Sequence, residues 1–243
     1  MDRAGASNWT VALLVVGLIA LSAIVAWRSL STVTVSTIDV SGDAQTELQP
    51  DKVDVLVTVE TESSSALDSQ QQNAELTNRV KGGLVTMGIN QSQIETSSYY
   101  LQLVRHYDKE GNEMNVTYRT THVLDVKLTD LSKTGGVIDI AVSMGANRID
   151  GVNFGLSDEK QKEVKSQLLL DAAAAARQKA ESIASKSGVK ITGVVRINEG
   201  SVYVNVPRTY ATAGGAEMFK SDTSITPGQI TVTASISASY RIE

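Results

Sequence analysis

Two hydrophobic periods organise the chain. Between Ser157 and Gly188 the period is helical: Val164, Leu168, Ala172, Ala176 and Ala180 recur every four residues, and Ile183 follows three later. Leu169, Ala173 and Ala184 widen this stripe, and the run Ala172 to Ala176 makes part of it nearly smooth, so a sheet can approach closely. Ser157 suits an N-cap, Asp158 and Glu159 favour the positive end of the helix dipole, and Gly188 supplies a left-handed stop after Lys186. Such a helix is about 45 Å long. Near the C-terminus the period is two. Ile230, Val232, Ala234, Ile236, Ala238, Tyr240 and Ile242 alternate with Thr231, Thr233, Ser235, Ser237, Ser239 and Arg241. This predicts a strand of about 46 Å with one buried face and one face of hydroxyls. The helix is expected to lie on a sheet containing that strand.

Taken in order, the body predicts a strand over Ile38–Ala44, a turn at Pro50-Asp51, and a second strand in which Val53, Val55, Val57 and Val59 face inward. Ser63–Met87 predicts a helix with Ala66, Ala74, Val80, Leu84 and Met87 on its apolar face and Gly88 as its stop. Gly82-Gly83 inside it implies a kink or a closely approaching partner backbone. Ile94–Tyr107 and Met114–Leu128 form a hairpin across the loop Asp108–Asn112. A short helix follows over Leu131–Met144, capped by Asp130 and ended by Gly145, then a strand over Arg148–Leu156. After the long helix comes a strand over Val189–Asn198, with Val202, Val204 and Val206 as its continuation. Residues 207–228 show little periodicity, and loops of that length are commonly functional or disordered. The order is ββαββ then αβαββ, which predicts an α+β fold of mixed, largely antiparallel sheets with helices packed on one face. A unit of helix, glycine, strand and strand occurs twice, beginning near Ser63 and Ser157. Two subdomains, 38–130 and 131–243, are one way to divide it.

Ahead of this body, residues 1–8 form a tail and Trp9–Trp27 an uncharged run. Its helical length is about 28 Å, enough to cross a bilayer core of about 30 Å. The two tryptophans suit the membrane interfaces. The reading is one N-terminal transmembrane helix, a linker over 28–37, and a domain over 38–243. The alternative is a signal peptide cut near Ala20-Leu21-Ser22. Arg3 and the amino terminus outweigh Arg28, which favours an extracytoplasmic body held at the plasma membrane by a single pass.

The net charge of −5, with no basic run, excludes nucleic acid as a partner class. The absence of cysteine excludes disulfides, thiol nucleophiles and zinc-thiolate sites. The two histidines, His106 and His122, fall on the hairpin about 20 Å apart if His122 pairs near Tyr99 or Tyr100, too far to share a metal. They read as strand histidines. Asp108, Glu110, Asn112 and Glu113 fail the spacing of a calcium loop, and Thr134-Gly135-Gly136 lacks the lysine of a phosphate loop. No catalytic, cofactor or metal residue is assigned, and the chain reads as non-enzymatic. Tyr99, Tyr100, Arg208, Tyr210, Met218 and Phe219 are candidate interface residues, because aromatic residues and arginine are enriched at contacts. The expected partners are the membrane, through residues 9–27, and further copies of the chain. The alternative is a module that binds a ligand or partner with the 207–228 loop.

Several short motifs, in order, carry a family resemblance: Val40-Ser41-Gly42, Pro50-Asp51, Gly88-Ile89, Gly135-Gly136-Val137-Ile138-Asp139, Phe154-Gly155-Leu156-Ser157-Asp158, Lys179-Ala180, Gly193-Val194-Val195, Ile197-Asn198-Glu199 and Pro227-Gly228. With these the chain resembles the SIMPL-domain family, a domain of unknown function found in periplasmic, immunogenic-protein-like chains. The resemblance implies an extracytoplasmic α+β domain behind a signal peptide or anchor. It also implies ring-like oligomers, as some bacterial relatives form, and a loose link to stress response. It carries no catalytic set. Gly82-Gly83 and the apolar N-terminal run depart from the family pattern, and the second puts ring assembly in question, since an anchored subunit must present its contacts in one plane.

Overall fold

The computed structural model describes Leu13, residues 35–206 and residues 223–243. The expected membrane helix lies outside the described residues apart from Leu13. Among the described residues no helix is long and apolar enough to cross a membrane.

The body runs β1 (Thr37–Leu48), β2 (Lys52–Ser63), α1 (Ala66–Thr86), β3 (Ile94–Tyr107), β4 (Glu113–Leu128), α2 (Thr134–Ser143), β5 (Arg148–Gly155), α3 (Asp158–Ser187), β6 (Ile191–Asn205) and β7 (Ile230–Ile242). This is an α+β fold with two sheets, ordered β1-β7-β6 and β3-β4-β2-β5, in which every neighbouring pair is antiparallel. β6 is one strand through Asn205, with register shifts along it, so the continuation expected past Asn198 belongs to it as far as Val204 but not Val206. Each sheet holds the same motif. β2, α1, β3 and β4 give the order β3-β4-β2, and β1, α3, β6 and β7 give β6-β7-β1. The first copy, extended by α2 and β5, is inserted between β1 and α3 of the second. Strand pairing therefore crosses residue 130 twice, β1 with β7 and β5 with β2, and the sheets do not follow the two sequence halves.

The long helix forms as its ends dictate. Ser157 Oγ accepts from Lys160 N at 3.2 Å, and Gly188 closes it at φ 70°. Leu168, Ala172, Ala176, Ala180 and Ala184 are buried against β1 and β7. Ile183 is instead 42% exposed, because the four-residue step continues from Ala180 to Ala184. The approach is close enough to involve the backbone. A Cβ placed on Gly42 of β1 would overlap Ala172 O and Ala176 N and stand 2.8 Å from Ala176 Cβ.

The larger sheet packs differently. Val53, Val55, Val57 and Val59 are fully buried with Val80, Leu84, Leu124 and Val126 beneath α1. Fully burying each such side chain contributes about 1.5–3 kcal/mol. The buried stripe of α1 is Ser69, Asn73, Thr77, Val80 and Leu84; of the expected face Val80 and Leu84 are buried and Met87 packs against the core, whereas Ala74 is exposed and Ala66 is outside the stripe. The first half of that stripe is polar because the sheet below offers polar partners. Asn73 Nδ2 donates to Val59 O at 2.8 Å and Thr120 O at 3.1 Å, and Ser69 Oγ lies 2.8 Å from Thr120 Oγ1. Buried polar groups satisfied in this way carry no orphan penalty. The helix runs unbroken through Gly82-Gly83. The space above Gly83 is filled by side chains, Ile140 of α2 and Met144 just after it, and not by a partner backbone.

Among the described residues, two polar clasps join the copies. Ser157 donates its N–H and hydroxyl to the Asp51 carboxylate at 2.5 and 2.6 Å, which ties the start of α3 to the β1–β2 turn. Farther along, Asp139 of α2 accepts from Thr223 N at 3.1 Å and Thr223 Oγ1 at 2.5 Å. Gly135 makes room for the Thr223 carbonyl, which a Cβ would overlap, and Ile225 reaches the larger core.

The two glycines of opposite setting give a paired prediction. Gly42→Ala meets backbone that cannot step aside and should destabilise by about 3 kcal/mol or prevent folding. Gly82→Ala, with nothing within 4 Å of its Cβ, should stabilise by about 1 kcal/mol. Urea unfolding of the two variants beside the wild type measures both.

Candidate functional site

Sequence reasoning placed the candidate contacts on the β3–β4 hairpin and the 207–228 loop. Arg208, Tyr210, Met218 and Phe219 lie outside the described residues. Tyr99 and Tyr100 sit on β3, an edge strand, and point to opposite faces, 45% and 60% exposed. Tyr99 shares the α1 side with Leu101 and Leu103, both exposed. Its ring meets His122 edge-on, with centroids 5.3 Å apart at 87°. Thr96 to Val104 of this edge contains no charge and no proline. Edge strands are normally protected by such residues.

The hairpin loop is a closed turn. Asp108 Oδ1 accepts from Glu110 N and Asn112 N at 3.0 and 2.8 Å, and Gly111 adopts φ 88°. The carboxylate that suggested calcium is taken up by its own backbone. Among the described residues no group of histidine and carboxylate side chains is placed to hold a metal.

His122 is enclosed between α1 and β3, with Nε2 2.9 Å from Thr96 Oγ1 and Nδ1 3.4 Å from Thr77 Oγ1. Burial, and then the charge of Lys81, holds its pKa below the ordinary histidine value of 6.5. His106 lies on the opposite face, where Nε2 is 2.9 Å from Glu62 Oε1 and 2.8 Å from Thr117 Oγ1. There Glu62 accepts from Thr117 Oγ1 at 2.5 Å and from Arg119 Nε and Nη2 at 3.0 and 2.8 Å. The hydrogen bonds from Thr117 and Arg119 lower the Glu62 pKa to about 2. Glu60 bridges Arg119 to Arg148, and Arg148 pairs with Asp150 at 2.5 Å. This charged lattice satisfies itself across β2, β4 and β5. Asp125, farther along β4 toward Asp54 and Lys127, has an unpartnered buried oxygen, and burial followed by the Asp54 charge raises its pKa.

The second sheet leaves β6 as an edge. α3 lies chiefly over β1 and β7, so Val194, Ile197 and Val204 of β6 are exposed on the helix side. A groove of about 630 Å³ runs between the first turns of α3 and the β6–β7 ladder, floored by Leu156, Val164, Val202 and Val232.

The family model for SIMPL, described as a protein of unknown function (DUF541), matches residues 38–240. The chain belongs to the SIMPL family. It is 26% identical over 202 residues to the 26 kDa periplasmic immunogenic proteins of Brucella melitensis and Brucella abortus, covering 80% of each chain. The family motifs now have structural places: Gly42 under α3, Asp51 and Ser157 at the junction, and Gly135 and Asp139 holding Thr223.

Sequence reasoning missed the Glu60–Glu62–Arg119–Arg148 lattice and the outward residues of β6, Tyr203 among them. The lattice had a usable signal, since Glu60 and Glu62 follow the outward parity of the valine strand. Tyr203 sits between Val202 and Val204 and had the same signal.

The two perturbed groups give pH signatures of fixed sign. His122 has a folded pKa below its unfolded value, so its contribution is complete above pH 6.5 and declines as the pH falls below that. His122→Gln should flatten the stability profile between about pH 7 and 5. Glu62 also has a depressed folded pKa, so its contribution is complete above its unfolded value near 4.5 and is lost as the pH falls toward 2. Glu62→Gln should cost about 1 kcal/mol at pH 7, after allowance for solvent screening. It should also remove the share of the decline below pH 4.5 that Glu62 contributes, leaving that of Asp51 and Asp150. Urea midpoints taken across this pH range read both.

Proposed function

We propose that this SIMPL protein is a non-enzymatic, extracytoplasmic scaffold domain, anchored through residues 9–27, that self-associates by pairing its exposed sheet edges. The periplasmic names of its two Brucella relatives support the location. The observation that carries self-association is the uncharged stretch Thr96–Val104 on the β3 edge, with Tyr99, Leu101 and Leu103 exposed on one face and Tyr100 on the other. An unpaired strand of this kind presents free backbone donors and acceptors beside apolar side chains, which is the requirement for strand addition by another copy. The non-enzymatic reading draws support from the histidines. Each is held in hydrogen bonds to strand or helix side chains, His122 with Thr77 and Thr96 and His106 with Glu62 and Thr117.

Light scattering on the full chain in detergent, coupled to size exclusion, tests the scaffold. The wild type should elute as a defined oligomer, and the double variant Tyr100→Lys/Leu101→Lys should shift it to monomer while keeping its circular dichroism. A monomeric wild type would remove the proposal.

A further inference from the structure

The face of the smaller sheet opposite α3 carries features that self-association through β3 does not use. Its central strand, β7, presents Thr231, Thr233, Ser235, Ser237 and Ser239 outward, as the period of two requires. Across the ladder these sit in rows. Gln45, Thr233 and Tyr203 form one row, and Asp43 pairs with Ser235 in the next. Two strand spacings put Gln45 and Tyr203 about 10 Å apart. Between them lies an open cleft of about 390 Å³ lined by Asp43, Gln45, Ser201, Tyr203, Thr233 and Ser235. That volume is within the range of small-ligand sites, about 300–1,000 Å³.

Tyr203 is 66% exposed, the largest solvent-facing ring of this sheet. Its position is set by an irregularity in β6. The register slips between Glu199 and Val202, and Gly200 presses onto Ser235 so closely that a Cβ would overlap Ser235 Oγ. Bulges of this kind re-aim the residues that follow them. Here the residues that follow are Ser201 and Tyr203, at one wall of the cleft.

We propose that this cleft binds a sugar unit of a neutral glycan. The chemistry of the lining selects that class. An aromatic ring offers its face to the C–H side of a pyranose. An amide, a carboxylate and floor hydroxyls supply the paired donors and acceptors that vicinal sugar hydroxyls require. Among the described residues the cleft is lined by no lysine or arginine, so there a phosphate or sulfate group meets the repelling charge of Asp43 and no counter-charge. A purely apolar ligand would leave the floor hydroxyls of Thr233 and Ser235 unpaired. The site is on a different sheet from β3, so its test is independent of self-association.

The experiment is a titration of the full chain, held in a sugar-free zwitterionic detergent, with the β-1,4-linked tetramer of N-acetylglucosamine and with cellotetraose. Binding is read by calorimetry and by amide shifts of Thr233 and Ser235. At least one tetramer should bind with a millimolar or tighter Kd. Tyr203→Ala should weaken it at least tenfold, Asp43→Ala should weaken it several-fold, and Tyr203→Phe should retain it. Unchanged unfolding midpoints keep loss of fold from imitating loss of binding. If Tyr203→Ala proves unfolded, Asp43→Ala and the amide shifts decide. Failure of both tetramers to bind at about 10 mM would overturn the proposal. So would equal binding by Tyr203→Ala, or a change of oligomer mass in that variant with no sugar response in the wild type.

Discussion

The backbone of α3 rests on the backbone of β1, and the smaller half of the molecule follows from that contact. It exists because Gly42 has no side chain and because Ala172 and Ala176 have the smallest one a good helix former can carry. A larger residue on either side would lift the helix away. The close seat has a geometric result. A helix pressed onto β1 and β7 does not also cover β6, so the outer strand keeps its valines and isoleucine exposed on the helix side. The alanine stripe thus determines both what is buried and which edge is left open.

The same motif recurs in the larger sheet with another packing solution. There α1 sits on full-sized valine and leucine side chains for half its length, and on a hydrogen-bonded seam of Ser69, Asn73 and Thr77 for the other half. That seam adds direction to the contact. An apolar helix face can slide by a turn at modest cost, whereas Asn73 can meet Val59 O and Thr120 O in one register only. The insertion of one motif between β1 and α3 of the other leaves them linked at two polar clasps, Asp51 with Ser157 and Asp139 with Thr223. Both clasps use a carboxylate that receives a backbone N–H and a hydroxyl from one residue. Both family motifs that surround them are explained by this geometry.

Features with local causes were legible in the residues. The caps of α3, the alternation of β7, the hairpin turn at Asp108 and the pairing of His122 with Tyr99 all rest on residues close in sequence or on a register counted from one loop. The errors came where a distant partner decides. Ser69, Asn73 and Thr77 read as a solvent face until Thr61 and Thr120 are brought beneath them. Ile183 fits a three-residue step that only the position of the sheet rejects in favour of Ala184. Gly135 and Asp139 stand out only as part of a family motif, and their role is not visible until Thr223, 84 residues beyond Asp139, is brought against them. Of the six candidate contact residues, Tyr99 and Tyr100 could be placed, and both lie on an edge.

The four sheet edges are not equally defended. β1 carries Asp39, Asp43 and Glu47, and Lys179 of α3 reaches its Ser41 carbonyl at 2.6 Å. β5 is short, opposes a register shift in β2, and bears Arg148 and Asp150. β6 is broken by three register shifts and carries Arg196 and Glu199. Each of these devices discourages a second strand from adding. The middle of β3 has none of them. The register shifts of β3 fall near its ends, between Thr96 and Ser98 and between His106 and Tyr107, and its charges, Glu95 and Arg105, lie outside the uncharged stretch. An edge left bare by default would be expected to be polar and short. This one is long, regular in its middle, and carries Tyr99, Leu101 and Leu103 on one face and Tyr100 and Val104 on the other, so the lack of protection coincides with the side chains that a pairing strand would use.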